Sequence, residues 1–341
     1  MSLRCDVDGP WHDPAGFARR LTTALPRVPA ADSYGEGAVV QAAEAALARL
    51  MGKERAVLFA TGTLANLLAL DRLCGPRARR VLVHPESHVL NDMGDAPALV
   101  GRLMPVVARA EGAGFAATEI ARAVADARGG RVAQAVGAVV VETPVRRLRN
   151  AMFSPTSRRA VEQAASEAGL ALHLDGARLP IAAAAEGRSI ADFCGPYRCV
   201  YLSLWKMFGL PFGAALAGPA DLLDGIAHDR RRHGGALPQF WPIAAIVLDE
   251  IDQLEADWRS ILDLGDRTGV ELAARGVAVE PVGEARTNAF WLRVADADGF
   301  KRAAAARGVM LGEATEGRVL VRANATWLGR APVEIADLIA G

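Results

Sequence analysis

The stretch Ala171-Leu-His-Leu-Asp-Gly-Ala-Arg178 decides how this chain is read. Residues 171–174 read as a buried strand, which ends in a carboxylate, a glycine and a guanidinium. A second apolar run, Cys199-Val-Tyr-Leu-Ser203, ends close to Lys206. In parallel α/β sheets ligands sit beyond the carboxyl ends of the strands. Asp175, Arg178 and Lys206 are therefore expected to meet there, and Ser203, which closes the second run, joins them as a candidate cofactor contact. An acid, a guanidinium and an amine around one pocket suit pyridoxal phosphate. The amine forms a Schiff base, and the acid keeps the pyridine nitrogen protonated so that the ring can accept electrons.

Lysine usage sharpens this reading. Of 39 basic residues only Lys53, Lys206 and Lys301 are lysines. Arginine replaces lysine as a surface charge, but it cannot form a Schiff base. Lys206 stands between Trp205 and Met207, in apolar surroundings, so it is the candidate amine. The plain alternative is a lysine snorkelling from a loop.

Outward from this pair the pattern alternates. Residues 39–50 form an alanine-rich amphipathic helix that stops at Gly52. Residues 56–59 read as a strand, Thr61-Gly-Thr63 as a turn and 64–73 as a helix. Further strands fall at 81–83, 136–141, 170–174 and 213–218. Residues 155–168 read as a helix, with Ser154 as its N-cap before Pro155, and Pro219 starts another. This alternation predicts an α/β fold with a mostly parallel central sheet flanked by helices. After Gly234-Gly235 the pattern changes to a long helix at 243–258, strands near 289–294 and 319–323, and helices near 299–307 and 333–340. The expected division is a large cofactor-binding α/β domain over 13–244 and a small α+β domain over 245–341, joined by residues 1–12.

Other residues extend the site. Gly62 and Thr63 open a helix after a strand, and a helix N-terminus favours a phosphate; many such units are only caps. His84 and His88 follow the next strand. A pyridine ring needs a flat partner, and an imidazole there also handles protons, which makes His88 the candidate. His173 shares the face of Asp175 and reads as a packed support for it. Arg322, on a late strand, can hold a substrate carboxylate with two parallel bonds, or else it is a surface arginine.

Bulk properties exclude several classes. Hydrophobic residues make up 51% of 341, enough for a sizeable core and for apolar surface between subunits. The net charge is zero, with no basic block interleaved with aromatics, which argues against a nucleic-acid partner. No apolar run has the length of a membrane span. The opening Met-Ser-Leu-Arg-Cys-Asp-Val-Asp has no signal-peptide core, so a cytoplasmic setting is expected. Cys5, Cys74, Cys194 and Cys199 lack CxxC spacing and fit reduced thiols better than disulfides or zinc; no metal is expected.

Together these residues resemble the threonine aldolase family of the β-eliminating lyases, pyridoxal-phosphate enzymes of fold type I. Leu3-Arg-Cys-Asp6 resembles that family's LRSD, Ser33-Tyr-Gly-Glu-Gly37 its YGxD segment and Ala60-Thr-Gly-Thr-Leu-Ala-Asn66 its SGTxAN turn. His173-Leu-Asp-Gly-Ala-Arg-Leu179 matches HxDGARL in full. Thr287-Asn288 and Val321-Arg322 resemble its TN and VR pairs. The resemblance implies that Gly62 and Thr63 hold phosphate and that His88 stacks on the ring. It implies that Asp175 pairs with the pyridine nitrogen and that Lys206 carries the cofactor. Arg178 would contact the cofactor or the substrate carboxylate, Arg322 the substrate carboxylate, and Cys5 stands where the family has a serine. It also implies a homodimer or homotetramer with shared active sites. The chain also departs from the family: SKGLG is here Trp205-Lys-Met-Phe-Gly209, and GGGMRQ, whose arginine the resemblance implies would reach a neighbouring subunit's phosphate, is Gly234-Gly-Ala-Leu-Pro-Gln239, with Pro238 at the arginine. The implied activity is cleavage of a β-hydroxy-α-amino acid to glycine and an aldehyde. The alternatives are β-elimination, racemisation or transamination, and a non-catalytic pyridoxal-phosphate-binding protein.

Overall fold

The computed structural model describes residues 3–10 and 13–341. Residues 1, 2, 11 and 12, part of the N-terminal stretch assigned above to the small domain, lie outside the described residues. The core is a seven-stranded sheet. Its order is Arg55–Phe59, Ala214–Gly218, Cys199–Ser203, Ala171–Asp175, Val136–Glu142, Arg80–Val83 and Met104–Val107. Only Ala214–Gly218 runs antiparallel to its neighbours; every other pairing is parallel. Strands buried on both faces need near-continuous apolar sequence. Val-Gly-Ala-Val-Val-Val-Glu142, Cys-Val-Tyr-Leu-Ser203 and Ala-Ala-Leu-Ala-Gly218 supply it. The register sets the site: Glu142 lies opposite Asp175, and Asp175 opposite Tyr201. Three polar side chains thus end level at the carboxyl edge of the sheet.

The helices placed from sequence fall close to their expected bounds, with two differences; others, among them Pro14–Ala24, Thr118–Arg128 and Leu179–Ala185, are additional to the sequence reading. Ser154 stands at the N-cap of Pro155–Glu167, but its side chain caps nothing; Pro155 alone preorganises that start. The helix expected at 243–258 is two helices. Trp241–Glu250 ends in a 3₁₀ turn at Ile251–Gln253, and Leu254–Ala274 follows. The first buries consecutive residues from Ile243 to Val247 and packs on Ala38–Leu50. The second buries one stripe, Leu254, Trp258, Ile261, Leu262 and Gly265, against Leu179–Ala185 and Pro332–Ala340. Different neighbours force the break, and no Gly or Pro signals it. The continuation past Trp258 is masked in sequence by Gly265, where helix packing is tight: a Cβ there would stand 3.2 Å from that of Ala323.

The C-terminal third carries a four-stranded antiparallel sheet, ordered Ala278–Pro281, Ala289–Arg293, Arg318–Arg322 and Ala314–Thr315. The strand Leu3–Cys5 pairs in parallel with Val309–Leu311. From there the chain crosses to the edge of the large sheet. At Gly9 a Cβ would collide with the Lys206 carbonyl oxygen, so only glycine lets the segment press against the lysine's backbone. Among the described residues no helix is long and apolar enough to cross a membrane.

Candidate active site

Asp175 ends its strand fully buried. Asn66 donates from Nδ2 to its Oδ2 at 2.9 Å, and the Ala177 N–H donates to its Oδ1 at 3.3 Å. Asn66 sits one turn inside the helix Gly62–Cys74, so one side chain ties Gly62 and Thr63 to Asp175. His173 completes the chain, with Nε2 2.8 Å from Asn66 Oδ1. The amide oxygen can only accept, so His173 carries its proton on Nε2. Burial pushes this imidazole down to about 4, which keeps it neutral. The helix start itself is capped by Thr61, whose Oγ1 accepts the Leu64 N–H at 3.3 Å. The first N–H groups of the helix are left to a ligand or water. A Cβ on Gly62 would collide with the Tyr201 hydroxyl. The bare backbone there is what lets the turn close over the sheet edge.

Lys206 lies in the single turn Leu204–Met207, directly after Ser203. Its amine faces a cleft of about 1110 Å³ and stands 5.1 Å from the Trp205 ring centroid. Burial first, then the positive charge of Arg178, brings this amine down to about 8. About a tenth of the amine is then neutral at pH 7, far more than an ordinary lysine offers as a nucleophile. The other lysines do other work. Lys53 donates to the carbonyls of Cys194 and Tyr197 at 2.9 and 2.6 Å, and Lys301 lies on the outer helix Ala297–Ala306. Beside Lys206, the Ser203 Oγ is buried and makes no hydrogen bond. A basic-to-neutral amine, an orphaned hydroxyl, a cradle with no room for a Cβ and a fixed carboxylate fit pyridoxal phosphate.

The cleft wall carries Arg178, Arg322, His88, Trp205 and Lys206, together with the N-terminal segment from Asp6 to Pro10. Arg178 is buried and pairs with Asp8: its Nε donates to Asp8 Oδ2 at 2.7 Å, and its Nη2 stands 2.6 Å from the same oxygen. Arg322 meets Asp8 Oδ1 at 3.3 Å through Nε, and Asn150 donates to that oxygen at 2.7 Å. Burial alone would raise Asp8, but the two guanidiniums outweigh it and hold the carboxyl at about 2.

His88 begins a short helical turn and donates its backbone N–H to Glu142 Oε2 at 2.6 Å. Its imidazole borders the cleft, with Nδ1 3.9 Å from Asp92. His84 is instead locked, bonded to the Gly112 carbonyl at 3.1 Å and accepting the Glu86 N–H at 3.0 Å. Glu142 is buried beside Asp175. Desolvation, and then that like charge, raises its carboxyl well above the usual range.

Lys206, Arg178, Arg322 and His88 thus share one cleft. Asp175, Ser203, Gly62 and Thr63 are outside its traced wall, Asp175 and Ser203 being fully buried. Cys5 is not on that wall. It is wholly buried next to Trp327, and burial raises its thiol far above the ordinary value. The strand Leu3–Cys5 alternates its side chains, which turns Cys5 into the core and leaves Arg4 partly exposed. Sequence reasoning missed Asp8, Glu142 and Asn150, and it quoted Asn66 without giving it a task.

Comparison with known proteins finds relatives over most of this chain. Residues 28–305 match the family described as "Beta-eliminating lyase". An alanine racemase, TOXG, of Cochliobolus carbonum is 25% identical over 302 residues, covering 83% of this chain and 74% of that protein. The low specificity L-threonine aldolase of Escherichia coli K12 is 29% identical over 240 residues, 67% of each chain. Leishmania major threonine aldolase has the same fold, with a TM-score of 0.76 at 16% identity over 99% of this chain and 97% of that one. The chain spans little more than half the length of some other curated relatives, 55% and 54% for two of them.

Proposed function

The chain belongs to the β-eliminating lyase family, and from that premise we propose that it is a pyridoxal-phosphate-dependent lyase that splits the Cα–Cβ bond of a β-hydroxy-α-amino acid, releasing glycine and an aldehyde. One observation carries the reading: a single lysine with a depressed amine faces a cleft, between a fixed carboxylate at the sheet edge and two guanidiniums. Pyridoxal phosphate, when bound, supplies a ring that accepts the electron pair left on Cα.

The chain's own residues do the rest. Lys206 offers its neutral amine as the point of attachment. Asp175, oriented by Asn66, would sit at the pyridine nitrogen and favour its protonated form. Gly62 and Thr63 would hold the phosphate at the helix start. His88, bordering the cleft, would stack on the ring and take the proton from the substrate's β-hydroxyl. Arg322 would grip the α-carboxylate and so restrict which Cα bonds can align with the ring. Leu99, Val100, Met104 and Val107 are exposed at the sheet's edge, an apolar patch that supports a homodimer or homotetramer. We place the protein in the cytoplasm.

Racemisation is the second reading, favoured by the similarity to an alanine racemase. Product analysis of the cofactor-loaded protein tests both. Threonine or phenylserine should give glycine and the matching aldehyde. Loss of optical purity from alanine would support racemisation, and a keto acid with ammonia would support elimination.

A further inference from the structure

The pair of arginines that should receive a substrate carboxylate already holds one. Asp8 presents Oδ2 to Arg178 at 2.6 and 2.7 Å, and Oδ1 to Asn150 at 2.7 Å and Arg322 at 3.3 Å. Both oxygens are engaged, by two guanidiniums and an amide. This is how a bound α-carboxylate would be held. We propose that Asp8 is a specificity-determining residue, its carboxylate standing in the seat between Arg178 and Arg322, so that an amino acid's carboxylate must compete with it. The inference rests on the reading of these arginines given above.

Three features support it. Asp8 is delivered rather than loosely tethered: the next residue, Gly9, packs against the Lys206 carbonyl with no room for a Cβ. Its two contacts are unequal. The Arg178 pair is short and two-pronged, whereas the Arg322 Nε is buried and makes no hydrogen bond despite its ion pair with Asp8. Arg322 is therefore the member that an incoming carboxylate can win. Finally, two carboxylates drawn to one seat repel each other. Asp8 is held at about 2, so it stays ionised, and competes, at any pH near neutral. A ligand with an amine but no carboxylate, such as a carboxamide, escapes that competition.

The test has two arms. In the first, cofactor-free wild type and Asp8→Ala are melted in acetate and in chloride at equal ionic strength. Acetate should raise the melting temperature of Asp8→Ala by at least about 2 °C, by refilling the seat, and leave the wild type unmoved. In the second, glycine and glycinamide are titrated calorimetrically into cofactor-loaded wild type and Asp8→Asn. Asp8→Asn should bind glycine at least about tenfold more tightly, with glycinamide affinity changed by less than about threefold. Unchanged or weaker glycine binding by Asp8→Asn would overturn the proposal and make Asp8 a scaffold for the arginines. No acetate effect on Asp8→Ala would overturn it as well. If the protein takes up no cofactor, the lyase reading fails instead, and the acetate arm still decides whether the seat exists.

Discussion

The two sides of the cleft are built differently. The cofactor side is dry and built on one sheet: Glu142, Asp175 and Tyr201 stand level in register, Ser203 ends its strand two residues beyond Tyr201, and Asn66 reaches Asp175 from the helix Gly62–Cys74. The substrate side is assembled from afar: Asp8, Arg178 and Arg322 come from three separated parts of the chain. A parallel sheet fixes the first by backbone register, whatever the loops do. The second is fixed only by ion pairs among side chains, so it can be retuned without disturbing the fold. Of the departures from the family pattern, Trp205 lines the cleft on that second side, whereas Cys5 is turned into the core.

If this contrast holds, changes on the cofactor side should be close to absolute and changes on the substrate side graded. The largest effect is expected for Lys206→Ala. Borohydride reduction and peptide mapping should fix the cofactor to Lys206 in the wild type and to nothing in the variant, with no turnover left. An adduct on Lys53 or Lys301 would break the comparison at its root. Next comes Asp175→Ala, which should still take up cofactor but lose at least about a hundredfold in turnover, the scale of lost proton assistance. Turnover near wild type would mean that another group protonates the ring.

On the substrate side, Arg322→Ala should weaken glycine binding by roughly 2–5 kcal/mol while the cofactor's absorbance is kept. Arg322→Lys should recover only part of it, since a lysine lacks the planar fork. Equal affinity in all three proteins would hand the carboxylate to Arg178. The smallest effect is a pH dependence. The Lys206 amine is lowered from 10.5 to about 8, so the folded protein binds fewer protons than the unfolded chain between those values. The penalty is fully present below about pH 8 and fades as pH rises toward 10.5, so this contribution to cofactor-free stability improves over that window. Cofactor uptake, followed by absorbance, should likewise accelerate with pH and level off just above about pH 8. A rise continuing to pH 10 would mean an ordinary, solvated lysine.

The same contrast explains what could be read from sequence. The parallel α/β fold was legible because its strands are uninterrupted apolar runs ending in chemistry-bearing residues, as in Leu-His-Leu-Asp175. Lys206 stood out because lysine is so rare in this chain. Asp8 could not be read: its function depends on Arg178 and Arg322, and nothing in Asp6-Val-Asp8 distinguishes it from surface acid. Glu142 ends a recognised strand, yet its importance comes from the register that sets it beside Asp175. Cys5 was placed by family likeness in the site, and strand alternation turned it into the core.

The strand that starts the described chain has a consequence for how the protein is made. Leu3 is paired with Val309 and Cys5 with Leu311, so this strand, once made, waits for a partner synthesised long after it. Domains tend to fold as they emerge, and the strands of the large sheet, complete by Gly218, can assemble first. The N-terminal segment then closes over a sheet already formed, through contacts of very long sequence separation, which are slow to make. The cofactor side is complete well before Asp8 can meet Arg322, so during synthesis a nascent chain passes through a stage in which the lysine is in place and its gatekeeper is not.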